Sequence, residues 1–252
     1  MKILILHGWG HSAKEWLQLK SDLERQYNCT VTIHTFPGFG HVYDNQENCG
    51  LQTYVQQLRL MFKAVDYDFI IAHSMGANVL LKALANNNYK TVPILINPAY
   101  GGIPKLQWIR PFRSLLEGEL KACQKHPNSL SKGLIKLLSL FTINHLDKVN
   151  EQIIEDILCA DPKVATNTLL QLVYDEWGVF PHMYSNLNFH IIYGEYDRLF
   201  DKKVIETLSY DLLNDRGTSY FHTMQSSGHT PFIEVYNHFF DTICKIIDDE
   251  TQ

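Results

Sequence analysis

Along most of the chain, short continuous apolar runs alternate with longer stretches of helical period. Runs at residues 3–7, 30–35, 69–73, 92–96, 189–193 and 219–223 predict strands. Their hydrophobicity is continuous rather than alternating, as expected for parallel strands buried on both faces. Residues 13–26, 51–65, 77–87, 202–214 and 232–248 carry helical patterns between them. The alternation predicts an open, doubly wound α/β sheet of six mainly parallel strands, with helices on both faces. A ligand site belongs at the carboxyl edge of such a sheet.

One segment departs from this rhythm. Residues 100–185 offer no convincing strand, only helix-like stretches such as 133–141 and 152–159, punctuated by Pro104, Pro111, Pro127 and Pro162. A connection of that length within a compact domain usually carries function. The expected organisation is therefore a core of residues 1–99 and 186–252 with a helical cap, residues 100–185, over the site.

Composition narrows the classes. The 252 residues are 45% hydrophobic and 19% charged, which suits a soluble globular protein and excludes disorder as the main theme. A net charge of −5 argues against a nucleic-acid surface, and no apolar run approaches the roughly 20 residues of a membrane span. The opening Met1–Leu6 stretch is too short for a signal peptide. Five scattered cysteines without a CxxC pair fit thiols in a reducing compartment, so the expected location is cytoplasmic.

Four local signals then carry chemistry. Ala72-His73-Ser74-Met75-Gly76 lies between a strand and a helix. Small residues two places either side of the serine allow a turn so tight that the flanking chain nearly touches. Such a turn presents Ser74 at a helix N-terminus, where backbone N–H groups face developing negative charge; the alternative role is an ordinary N-cap serine. His7-Gly8-Trp9-Gly10 follows the first strand, so the N–H of Trp9 and that of Met75 are candidates for an oxyanion hole. Asp197, just past a late strand, is placed to orient an imidazole, or else to act as a turn or N-cap residue like its neighbours Glu195 and Asp201. His229, on the loop before the last helix, is the candidate general base. The chain order Ser74, Asp197, His229 matches one known triad order.

These residues resemble the α/β-hydrolase family over nearly all of the chain outside the cap. With Phe36-Pro37-Gly38-Phe39-Gly40-His41, Glu15-Trp16, Tyr193-Gly194-Glu195-Tyr196-Asp197 and Gly228-His229-Thr230-Pro231-Phe232-Ile233, the chain looks most like the pimeloyl-acyl-carrier-protein methyl ester carboxylesterases of biotin synthesis. The resemblance implies a nucleophile at Ser74, an oxyanion hole from Trp9 and Met75, and a triad completed by Asp197 and His229. It also implies cap contacts to substrate from Leu137, Leu138, Ser139, Leu140 and Phe141, a stretch that plain helix packing would equally explain. Two departures stand out. Ala72 replaces the family's usual glycine, and the chain opens directly on the strand before His7-Gly8-Trp9-Gly10, so the expectation is a sheet reduced to six strands, without the two leading strands of the full family sheet.

The leading functional reading is a serine carboxylesterase for a short- to medium-chain acyl ester, needing no metal or organic cofactor and acting as a monomer. Lys105, Arg110, Arg113, Lys121, Lys125, Lys132 and Lys136 face only Glu117 and Glu119 over their stretch, and would dock an acidic acyl carrier protein or simply form a solvated surface. A second reading keeps the triad but makes the enzyme the menaquinone-pathway succinyl-hydroxycyclohexadiene carboxylate synthase, a lyase, or a carbon–carbon hydrolase, with Arg110 and Arg113 taking a substrate carboxylate. A third is a binding protein that has kept the fold without the chemistry.

Overall fold

The computed structural model describes residues 1–40, 49–125, 151–175, 181–184, 187–212 and 219–252. Six strands form one sheet: β1 (Lys2–Leu6), β2 (Thr30–His34), β3 (Phe69–His73), β4 (Val92–Ile96), β5 (Phe189–Gly194) and β6 (Ser219–Met224). Their order is β2-β1-β3-β4-β5-β6, and every pairing is parallel. The six predicted strands are all present, each within a residue of the expected boundaries.

Alternate side chains of the central strands β1, β3, β4 and β5 enter two separate cores, while the edge strands β2 and β6 are partly exposed. Leu4, Leu6, Ile70, Ala72, Leu95 and Ile191 face one, with α2 (Leu51–Ala64), α3 (Met75–Leu84) and α7 (Lys202–Leu212). Ile3, Ile5, Ile71, Ile94, Ile96 and Ile192 face the other, with α1 (Leu17–Tyr27) and α9 (Tyr236–Thr251). Burial on both faces explains the unbroken apolar runs, and each fully buried Ile or Leu contributes about 1.5–3 kcal/mol. The central strands are thus a stiff platform for whatever their carboxyl ends carry.

The order of strands sets where that platform opens. From β1 the chain moves outward to the edge strand β2, then returns to β3 on the other side of β1. The helices after β1 and β3 therefore leave for opposite faces, and a crevice opens between the carboxyl ends of these two strands.

Helix boundaries differ from the sequence expectation at three places. A 3-10 turn, Ala13–Trp16, precedes α1, because the Ser12 hydroxyl accepts the Lys14 N–H and starts the helix tightly. The helix expected at 77–87 begins at Met75, directly after the elbow, and ends at Leu84, where Ala85 turns extended and Asn86 takes a φ of 60°. The last expected helix is two, α8 (Pro231–Glu234) and α9, broken at Val235 with φ −136°. Between β4 and β5 lie α4 (Arg113–Lys125), α5 (Glu151–Cys159) and α6 (Pro162–Val173), and no strand occurs there among the described residues. The helix expected at 133–141 lies outside the described residues, as do residues 213 and 214 at the end of the expected 202–214 helix. No described helix is long and apolar enough to cross a membrane.

Several histidines are buried as neutral rings. Burial lowers His7 to about 3 and His34 and His222 to about 4, and it also lowers His73 and His190. Each folded value lies below the ordinary 6.5, so in the interval between them the unfolded chain binds protons that the fold refuses. Stability is consequently lost as pH falls through 6.5, most for the fully buried His7 and His73 and less for the half-buried His34 and His222, whose charge solvent screens. His11 opposes the trend. Burial works against its charge, but Glu15 and then Asp156 outweigh that and raise it, so its contribution is present at low pH and lost as pH rises through the raised value. With five rings against one, the urea midpoint should drop steadily from neutral pH to about pH 5. A flat profile over that interval would show that these rings are solvated rather than held neutral.

Candidate active site

Ser74 sits between β3 and α3 with φ 49° and ψ −111°, a conformation that side-chain-bearing residues rarely adopt. Strain of this kind costs about 1–3 kcal/mol and persists only where the surroundings enforce it. Here nine of the ten residues of α3 are buried, and the Ser74 N–H donates to the Ile96 carbonyl at 2.9 Å. The Ser74 carbonyl in turn accepts from Asn78 and Ala99, both at 3.1 Å. Ser74 occupies the N-cap position of α3, but its hydroxyl makes no side-chain cap. Two glycines allow the close approach. A Cβ on Gly76 would lie 2.7 Å from the His7 carbonyl oxygen, and one on Gly8 would lie 2.5 Å from His73 Nδ1 and 3.2 Å from Ser74 Cβ. Ala72 fits in the usual glycine position, fully buried in register with Leu6 and Leu95.

The loop after β1 is therefore pressed against the elbow. His7 anchors it: its Nε2 accepts the Phe36 N–H at 3.0 Å, and its Nδ1–H donates to the Gly8 carbonyl at 2.7 Å. Met75 opens α3, so its N–H is among the helix-initial donors that lack an intrahelical acceptor. The Trp9 indole turns away and donates to the Ala165 carbonyl of α6 at 2.9 Å. The β4–β5 connection meets these carboxyl-edge loops at two further points. The Asp161 N–H donates to the Gly38 carbonyl at 2.7 Å, and Ile157 lies beside Gly10. Asp175, at the far end of α6, binds Lys82 at 2.8 Å and also Asn78 of α3.

Asp197 and His229 meet although 32 residues separate them: His229 Nδ1 lies 2.7 Å from Asp197 Oδ2. Both side chains are almost wholly buried, 3% exposed for the histidine and 0% for the aspartate. Asp197 also fills its alternative role, since its Oδ1 accepts the N–H groups of Leu199 and Phe200 at 2.8 and 3.3 Å. Its Oδ2 remains aimed at the imidazole. Asp201 is the residue that starts the next helix, accepting the Lys203 N–H at 2.9 Å. Gly194 brings the two loops together, for a Cβ there would overlap the Gly228 carbonyl oxygen.

His229 is tied to the elbow through the residue beside Ser74. His73 Nε2–H donates to the His229 carbonyl at 2.9 Å, and the two rings stand 4.8 Å apart. Since a carbonyl only accepts, the single proton of neutral His73 is on Nε2. Burial first, and then the neighbouring imidazoles, hold its pKa well below 6.5. Sequence reading missed three residues that frame this loop: His73, Asn97 and Glu234. Glu234 accepts the N–H groups of Gly228 and Thr230 at 3.0 and 3.3 Å, together with the Thr230 hydroxyl at 3.2 Å. An acid in the first turn of a proline-started helix was the available signal for it. The expected substrate contacts Leu137, Leu138, Ser139, Leu140 and Phe141 lie outside the described residues. Of the basic stretch, Arg110 and Arg113 are exposed, the first over the Tyr174 ring and the second donating to Asn167.

Comparison with known proteins agrees with this architecture. Residues 3–239 match the model of the alpha/beta hydrolase family. Among solved structures, a thermophilic esterase from Thermogutta terrifontis superposes with a TM-score of 0.77 at 15% identity, covering 100% of this chain and 91% of that one. MenH from S. aureus gives 0.74 at 16% identity, with 100% and 95% covered. The 2-hydroxy-6-oxo-6-phenylhexa-2,4-dienoate hydrolase from Rhodococcus sp. strain RHA1 gives 0.70 at 15% identity, with 97% and 89% covered. At these identities the likeness is one of fold. No curated protein matches the sequence.

Proposed function

We propose that this chain, which belongs to the α/β hydrolase family, is a serine carboxylesterase using Ser74, His229 and Asp197 as its catalytic triad. The observation that carries the reading is the buried contact between His229 and Asp197. Burying an imidazole–carboxylate pair is a poor route to stability, because desolvation offsets the attraction. As part of a catalytic device the same contact has a purpose. It keeps the proton on Nδ1 and leaves the Nε2 lone pair free to take a proton from a serine.

Catalysis would run as follows. Ser74 Oγ attacks the acyl carbonyl as His229 removes its proton, and the tetrahedral oxyanion is held by the N–H groups of Trp9 and Met75. His229 then protonates the departing alcohol. Water, deprotonated by the same imidazole, releases the acid from the acyl-enzyme. Residues 100–185 act as the cap that shapes the acyl pocket. The substrate is a short- to medium-chain acyl ester, with the pimeloyl methyl ester on an acyl carrier protein as its most specific form. The lyase reading calls for a cation beside a substrate carboxylate. Arg110 and Arg113 are weak candidates for it, being exposed and engaged with Tyr174 and Asn167.

A fluorophosphonate probe should label the protein at Ser74, and an ester panel from acetyl to decanoyl should show hydrolysis. A sharp preference for pimeloyl methyl ester on its carrier over free esters would select the biotin-pathway substrate, whereas a broad profile would indicate a general esterase. Labelling without ester turnover would favour the lyase or carbon–carbon hydrolase. Well-folded protein that the probe does not label would leave a binding protein.

A further inference from the structure

Asn97 lies just beyond β4, fully buried, with a φ of 40° that asparagine tolerates better than most side chains. Its own N–H donates to the Ile192 carbonyl at 2.9 Å, fixing its backbone to β5. Its side-chain amide then uses both ends. Oδ1 accepts the Gly194 N–H at 2.9 Å, three residues before Asp197. Nδ2 donates to the carbonyls of Gly228 at 3.1 Å and His229 at 2.9 Å. One planar group therefore ties the end of β5, which leads into the acid loop, to the loop that carries the base.

The peptide groups around His229 are held almost completely. The N–H groups of residues 228 and 230 go to Glu234, and the carbonyls of 228 and 229 go to Asn97. The His229 carbonyl takes a second donor from His73, which adjoins Ser74 in the chain. Glu234 lies six residues or fewer from the groups it binds and only stiffens the loop locally. Asn97 is the one of these residues that joins the end of β5, from which the acid loop departs, to the base loop.

We propose that Asn97 is a positioning residue for the triad, a hydrogen-bonded bridge that holds His229 and Asp197 at their mutual distance and keeps the imidazole directed at Ser74. The inference rests on the serine-hydrolase reading, but the bridge itself has a readout that does not need turnover. A side-chain amide suits the task because it offers an acceptor and a donor group in one plane, fixed relative to each other. Aspartate has nearly the same shape and keeps the acceptor for Gly194, but it sets an oxygen against two carbonyl oxygens.

The test compares wild type with Asn97→Asp and Asn97→Ser, each confirmed folded by circular dichroism. The first readout is the downfield proton signal of His229 Nδ1–H bound to Asp197, followed by NMR. It should be sharp in wild type and lost or broadened in both variants. The second is p-nitrophenyl butyrate hydrolysis. In both variants kcat should fall about 100-fold with KM changed less than about three-fold, the size expected of a displaced catalytic group. An unchanged proton signal and unchanged kcat in either folded variant would overturn the bridge. If Asn97→Asp does not fold, Asn97→Ser decides by the same criteria. If neither folds, Asn97→Gln, which keeps the amide but displaces it by one methylene, decides by the same criteria. A wild-type protein that shows the signal but hydrolyses no ester would refute the esterase reading while leaving the bridge standing.

Discussion

Replacing Ser74 with alanine should abolish ester turnover and fluorophosphonate labelling while leaving the fold intact, and replacing it with glycine should do the same and raise the melting temperature. The activity loss is expected at about 10⁴-fold or more, because without the hydroxyl only oxyanion donors and substrate binding remain to assist water. The stability gain comes from the backbone. At φ 49° and ψ −111° a Cβ is strained, and glycine occupies that region freely. Relief of about 1 kcal/mol is expected, set against a small loss from the greater freedom of glycine in the unfolded chain. Alanine keeps the Cβ and should therefore lack the gain. Thermal melts of the three proteins separate the two effects. A glycine variant less stable than the alanine variant would mean that the elbow is not under strain, and appreciable turnover by either would remove Ser74 from the chemistry.

The second large effect is expected from Asp197→Asn. The asparagine oxygen still accepts from Leu199 and Phe200, but its NH2 group then faces His229 Nδ1 where a carboxylate oxygen stood. Two donors cannot pair, so the imidazole adopts the other tautomer, with its proton on Nε2. That nitrogen then cannot accept the serine proton. A loss of about 10⁴-fold in kcat follows, with KM for a small ester nearly unchanged, since no group touching the acyl chain has moved. Stability should change by no more than about 1 kcal/mol, because the site exchanges one hydrogen-bonded arrangement for another. Steady-state kinetics beside urea melts check both halves. A variant with near-wild-type kcat would show that the carboxylate neither selects the tautomer nor supports the imidazolium, and Asp197 would revert to a turn residue.

Much of the fold could be read from residues 1–99 and 187–252 because their constraints are local. A strand buried on both faces needs an unbroken apolar run, and such runs located the four central strands within a residue of their observed ends, whereas the edge strands β2 and β6 are partly exposed and carry polar positions. The elbow was equally readable. Its requirement is steric and confined to five residues, where a Cβ at position 76 would crowd the His7 carbonyl. Helix starts were less legible where the cause lay outside the helix. The onset of α3 at Met75 is imposed by the strained serine before it, and the break at Val235 separates two helices that share one apolar pattern.

By itself, the order of residues determined the alternation of strand and helix, the sharp turn at Ser74 and the placement of Asp197 and His229 beyond late strands. Tertiary structure alone decided that the imidazole of His229 meets the carboxylate of Asp197, and which side chains hold that meeting in place. Asn97 reads in the chain as an ordinary polar residue before a proline, and it acquires its role from carbonyls 131 and 132 positions away. A hydrogen bond of that kind is specified by distance and angle in space, to which periodicity and local propensity are blind.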